Sequence, residues 1–153
     1  MKLAWAYNHN NGEKEWATRG LGDWITDVFE APAIKLRPGV TNDIRNHVRA
    51  EFEKEGWAIN VKIDPDYELT VFALRDDLAV HLQTGNMSRA PYDLLKLQSL
   101  YSAKRIEAAA LALPTKAGAQ ALGSNIAHAD RVSNELKLFS RIITVPILLI
   151  AFE

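Results

Sequence analysis

The chain has 153 residues, 48% hydrophobic and 24% charged, with a formal net charge of -1 and no cysteine. That size and balance predict one domain over residues 1–153 with a sizeable core, and the missing thiols exclude disulfides, thiolate zinc sites and cysteine nucleophiles. The charge near zero excludes a global field for nucleic acid, although residues 1–83 carry a net -4 and residues 84–153 a net +3, a shift that is either ordinary scatter or a basic face on the second half.

Met1–Asn8 turns polar too quickly for a signal peptide. The most apolar run, residues 142–152, contains Thr144 and Pro146 and is too short for a bilayer. The expectation is a cytoplasmic protein with no membrane partner.

In chain order, Lys2–Asn8 reads as a strand. Glu13–Glu30 has Trp16, Leu21, Trp24, Ile25, Val28 and Phe29 near helical spacing, with Gly20 and Gly22 as weak points, so it forms one helix or two short ones. Ala31-Pro32 and Arg37-Pro38-Gly39 punctuate a loop. Thr41 is a good N-cap for a helix carrying Ile44, Val48 and Phe52 and closed by Gly56. Asp43, Glu51 and Glu53 are most simply its solvated face. Trp57–Ile63 is a strand and Asp64-Pro65-Asp66 a turn.

Tyr67–Arg75 and Asp77–Gln83 then read as a hairpin turning at Asp76-Asp77. In the second of these strands, Leu78, Val80 and Leu82 point one way and Asp77, Ala79, His81 and Gln83 the other. A helix spans roughly Pro91–Lys104. Ile106–Leu113, bounded by Pro114, is a buried strand. Thr115 caps a short helix ended by Gly123, another helix covers Ala129–Ser140, and Pro146–Phe152 is a last buried strand.

The order predicts an α/β fold: a mixed sheet with helices on both faces around an αβββαβ core. The helix after the hairpin would cross over right-handed to the buried strand.

Particular segments carry a more specific likeness. They are Tyr7-Asn-His-Asn-Asn-Gly12, Phe52-Glu-Lys-Glu-Gly-Trp57, Leu78-Ala-Val-His-Leu-Gln-Thr-Gly-Asn86, Tyr92-Asp-Leu-Leu-Lys96, Ile106–Lys116, Leu122-Gly-Ser124 and Ile142–Leu148. Over most of its length the sequence resembles the BglII/BstYI family of type II restriction endonucleases, in the PD-(D/E)XK nuclease superfamily. The resemblance implies a restriction-endonuclease-like fold, a homodimer, duplex DNA as partner and Mg2+-dependent phosphodiester cleavage. The family's pattern is an Asp, eight residues, then Glu-x-Gln, in which the acids bind metal and the Gln helps place the attacking water.

Mapped onto this chain, Gln83 is retained, His81 stands at the Glu position and Phe72 at the Asp position. A two-residue turn at Asp76-Asp77 would set Phe72 directly across from His81, with Cβ atoms about 4.5–5.5 Å apart. A phenyl ring cannot ligate Mg2+ and an imidazole is a poor ligand for a hard cation, so no metal site is assigned, and an inactive DNA-binding or protein-interaction module on the same fold stands as the alternative to a nuclease.

Three readings of His81 stand: a structural residue stacked on Phe72 and bonded to Gln83, a base or ligand of an altered site, or a DNA contact. His81 and Gln83 are the candidate catalytic residues. Asn86, Arg89 and Lys96 are candidate DNA contacts, with Lys104 and Arg105 beside them and surface charge as the plainer role. Glu68, Asp76 and Asp77 could supply migrated carboxylates, but Glu68 lies about 13 Å along the strand from Phe72 and Asp76 and Asp77 are more simply turn residues. His9, His47 and His128 have no partner at metal-ligand spacing. The Asn8–Gly12 turn is structural or close to DNA, and the four Trp read as core or interface residues.

Overall fold

The computed structural model describes residues 1–153. It contains β1 (Leu3–His9), α1 (Gly12–Thr18), α2 (Gly22–Asp27), α3 (Thr41–Lys54), β2 (Ala58–Lys62), β3 (Thr70–Arg75), β4 (Leu78–Leu82), a 3-10 turn (Met87–Arg89), α4 (Ala90–Ser102), β5 (Ala108–Pro114), α5 (Lys116–Leu122), α6 (Ala129–Leu138) and β6 (Ile147–Phe152). One six-stranded sheet runs in the order β1-β6-β5-β4-β3-β2. β4, β5 and β6 are mutually parallel, while β1–β6, β2–β3 and β3–β4 pair antiparallel. The mixed sheet with helices on both faces is the architecture expected. No helix is long and apolar enough to cross a membrane.

The two faces are packed differently. The first is aromatic: Trp16, Phe29, Phe52, Trp57, Phe72 and Phe152 sit with Ile25, Ile44 and Val48 of α2 and α3 over Leu78, Val80 and Leu82. The second is aliphatic, with Leu94, Leu97 and Leu100 of α4 and Val132 and Leu136 of α6 over Ala79, Leu111 and Leu149. β5 shows the physical reason. Its first face offers only Ala108, Ala110 and Ala112, which leaves room for large rings, and Trp16 Nε1 reaches the Ala109 carbonyl at 3.0 Å. Three of the four tryptophans meet there: Trp57 stacks on Trp16 and on Trp24 at centroid distances of 5.9 and 5.8 Å. They belong to the core, as expected.

Several sequence expectations shift. Glu13–Glu30 forms two short helices broken around Gly20, whose φ is +69°, one of the two arrangements expected. Thr41 is not the cap of α3 but its first residue; Val40 holds the cap position and no side chain bonds the free amides. The strand expected from Tyr67 begins only at Thr70. Thr115 does cap α5, its hydroxyl accepting from Gly118 N at 3.0 Å.

The Asn8–Gly12 motif is a clasp between β1 and the segment before β6. Asn8 Oδ1 accepts from Glu13 N at 3.1 Å, and Asn10 Nδ2 donates to the carbonyls of Ile143 and Thr144. Buried His9 meets the Ile143 carbonyl at 2.7 Å through Nε2. Asn10 and Asn11 take positive φ, which Asn tolerates best among residues with a Cβ. A Cβ at Gly12 would lie 2.2 Å from the Ile147 backbone, so only glycine fits there.

Candidate functional site

β3 and β4 turn at Asp76-Asp77, with Asp76 at φ +51°, and pair as Arg75↔Leu78, Leu74↔Ala79 and Ala73↔Val80. The two-residue turn is therefore as expected, but the ladder stops one step short of Phe72 and His81. The cause lies on the next strand. Asn60, in the middle of β2, adopts φ +54°. The β2–β3 register continues on either side of it, with Ile59↔Ala73 and Val61↔Val71. In a regular strand Ile59 and Val61 would share a face. Here Ile59 and Ala73 pack with the aromatic face, and Val61 and Val71 with the aliphatic one.

This reversal turns Phe72 toward α3, where it meets Phe52 edge-on at 5.7 Å. His81 stays on the opposite face under α4. The expected stacking of His81 on Phe72 is thus corrected, and so is the expected hydrogen bond from His81 to Gln83.

The partner of both His81 and Gln83 is Asp93, in the first turn of α4, which the sequence reading did not single out. His81 Nε2 lies 2.9 Å from Asp93 Oδ1, Lys96 Nζ lies 2.7 Å from the same oxygen, and Gln83 Nε2 donates to Oδ2. Lys96 also donates to the Thr70 carbonyl at 3.0 Å, and Gln83 Oε1 accepts from Gly85 N at 2.7 Å. The side chains of His81 and Lys96 are 14% exposed and that of Asp93 3%.

Desolvation pushes the Asp93 carboxyl pKa up, but the hydrogen bond and charge of His81, and then those of Lys96, outweigh it and hold the group below the usual carboxylate range. Its place at the start of a helix favours the anion in the same sense. The 2.9 Å contact assigns the imidazole proton to Nε2. Nδ1 is buried with no hydrogen-bond partner, a desolvation cost of about 1–3 kcal/mol.

Around this network lies a cavity of about 250 Å³ at the C-terminal end of β4. Its lining includes Arg45, Asn60, Glu68, Phe72, Arg89 and Lys96. Arg45 reaches in from α3, its Nε donating to the hydroxyl of buried Thr84 at 3.1 Å. Glu68 is taken by Lys62 Nζ at 2.5 Å.

The other candidates lie as follows. Arg89 is exposed at the rim of the cavity. Asn86 Oδ1 accepts from Ser88 N and caps the 3-10 turn. Arg105 braces the carbonyls of Lys62 and Ile63. Asp77 is held by Arg19. His47 Nε2 meets the Val28 carbonyl at 2.8 Å, and His128 Nδ1 accepts from Arg131 N.

The donor set does not fit Mg2+. That ion asks for oxygen ligands in octahedral array. Here Asp93, the carboxylate at the centre of the network, is saturated by an imidazole, an amide and an ammonium. No group of three His, Asp or Glu side chains converges to hold a metal.

This sheet and its flanking helices define a fold of restriction-endonuclease type. The crystal structure of restriction endonuclease BglII complexed with a DNA 16-mer matches with a TM-score of 0.82 at 11% identity, over 100% of this chain and 78% of that one. The crystal structure of free BglII matches with a TM-score of 0.72 at 16% identity, over 100% and 80%. A model of the restriction endonuclease BglII/BglIII family matches residues 5–152, and the chain belongs to that family. No curated protein matches it.

Proposed function

We propose that this chain is a duplex-DNA-binding member of the restriction endonuclease family whose pocket no longer carries Mg2+-dependent phosphodiester cleavage. The observation that carries this reading is the closed Asp93–His81–Lys96 network. An ammonium and an imidazole saturate the carboxylate at the spot where the resemblance calls for metal-holding acids. Family membership supports DNA as the partner, and the cationic rim of Arg45 and Arg89 supports phosphate contact. The reading includes a homodimer, matched to a two-fold symmetric site, acting in the cytoplasm.

The test is fluorescence anisotropy of the purified chain with mixed-sequence duplexes over a salt series, run beside a nicking and cutting assay in Mg2+ or Mn2+. Binding that weakens steeply with salt, without strand breaks, is expected. Cutting in Mg2+ would overturn the loss of cleavage; absence of binding at low salt would overturn the DNA reading. Light scattering of the free chain measures its oligomeric state.

A further inference from the structure

We propose that the cavity at the end of β4 is a phosphate-binding site that works without a divalent cation, gripped by Arg45 and Arg89 with Lys96 fixed behind them. This rests on the DNA-binding reading and deepens it. The charge inventory of the lining carries the argument. Its anions are Glu68, which is 88% exposed in water and paired with Lys62, and Asp93, which is enclosed by Lys96, His81 and Gln83. Among its cations Lys96 is committed to Asp93, but Arg45 and Arg89 are not. Arg45 commits only Nε, to Thr84, and the Arg89 side chain has no acidic partner.

Two guanidinium groups with free N–H donors therefore open on one cavity, a geometry suited to the oxygens of a phosphate. Burial lowers the Arg45 pKa, Asp93 works against that, and Arg49 and Arg89 lower it further, so the guanidinium is held partly buried beside two other cations. At about 250 Å³ the cavity lies below the usual range for drug-sized ligands and suits one charged group.

A site with two free carboxylates repels a phosphate until a dication neutralises it. With Phe72 and His81 at those positions that repulsion is gone: Lys96, anchored to Asp93 and the Thr70 carbonyl, cancels the one enclosed carboxylate, and Arg45 and Arg89 supply the positive charge. An internal phosphodiester and a strand-terminal phosphate present the same chemistry here.

The experiment measures duplex affinity in EDTA and in Mg2+ for the full chain, Arg45→Gln, Arg89→Gln and the double variant. It uses closed circular DNA and linear duplexes with and without 5′-phosphates, and a calorimetric titration with inorganic phosphate runs alongside. Expected are undiminished binding in EDTA, a loss of about tenfold per arginine and a salt slope flattened by about one. Equal binding to circular DNA assigns an internal phosphodiester; dependence on the 5′-phosphate assigns a strand end.

A requirement for Mg2+, or variants with unchanged affinity and slope, overturns the phosphate site while DNA binding stands. A chain that titrates phosphate in an arginine-dependent way but binds no DNA keeps the site and loses the DNA reading. A chain that does neither loses both.

Discussion

Strand β4 carries a carboxylate–cation network at each end, and the two differ in what they can tolerate. At the hairpin end, Arg19 Nε donates to Asp77 Oδ1 at 3.0 Å and its Nη1 to Glu15 Oε2 at 2.8 Å, with the Arg19 and Asp77 side chains 23% and 39% exposed. At the cavity end, Asp93 is almost fully enclosed by three donors. Both carboxyls are held below the usual range, Asp77 chiefly by its hydrogen bond to Arg19, Asp93 by His81 and Lys96 against a larger desolvation. Water can replace any bond of the first network. In the second, each member is there to satisfy the others, so the network is complete or it is a liability.

Removing the anion breaks the enclosed network hardest. Asp93→Ala leaves Lys96 and His81 buried without a counter-charge, and urea unfolding is expected to show a loss of about 3–5 kcal/mol. Replacing Asp93, Lys96 and His81 together by Leu, Met and Leu is expected to restore most of that loss, because the desolvation penalty leaves with the charges.

Reinstating acids by Phe72→Asp with His81→Glu comes next. Loss of the Phe72–Phe52 packing alone is expected to lower stability by about 3 kcal/mol, with no cutting in Mg2+. Cutting by that variant would mean that acids at positions 72 and 81 still converge on one metal.

Acid has a smaller effect of fixed sign. Carboxyls depressed in the folded state stabilise it above their unfolded pKa, about 3.9. That stability is lost as pH falls through the lower folded values. Thermal melts from pH 6 to pH 2 should therefore fall below about pH 4, and Asp77→Asn should remove only a small part of the slope. Smallest is Arg19→Met, expected at about 0.2–1 kcal/mol and shrinking with added salt. A larger value would make the two ends of β4 alike.

What could be read in the sequence follows the same division. Features set by local chemistry were legible: the alternation of Leu78, Val80 and Leu82, the turn at Asp76-Asp77, the Thr115 cap and the apolar run of β5. Phe72 was misjudged because its facing depends on a φ value at Asn60, twelve residues away in sequence and across a strand pair, which composition does not encode. Asp93 was missed because an acid in the first turn of a helix is ordinary. A signal was present: Asp93 lies on the same stripe as Ala90, Leu97 and Leu100, at i-3, i+4 and i+7. A carboxylate on the apolar face of a helix needs a buried partner. Spacing alone placed His81 on β4, and Gln83 one residue past its end at Leu82, but could not name what they would bond.

Asn60 has one more consequence, unrelated to the cavity. β2 is an outer strand of the sheet, and its free edge would offer a template to another chain. The left-handed residue at its midpoint rotates the peptide groups there, so that no straight row of donors and acceptors runs the length of the edge. Lys62 adds a charge beside it. The kink that misaligned Phe72 thus also guards the molecule against edge-to-edge aggregation.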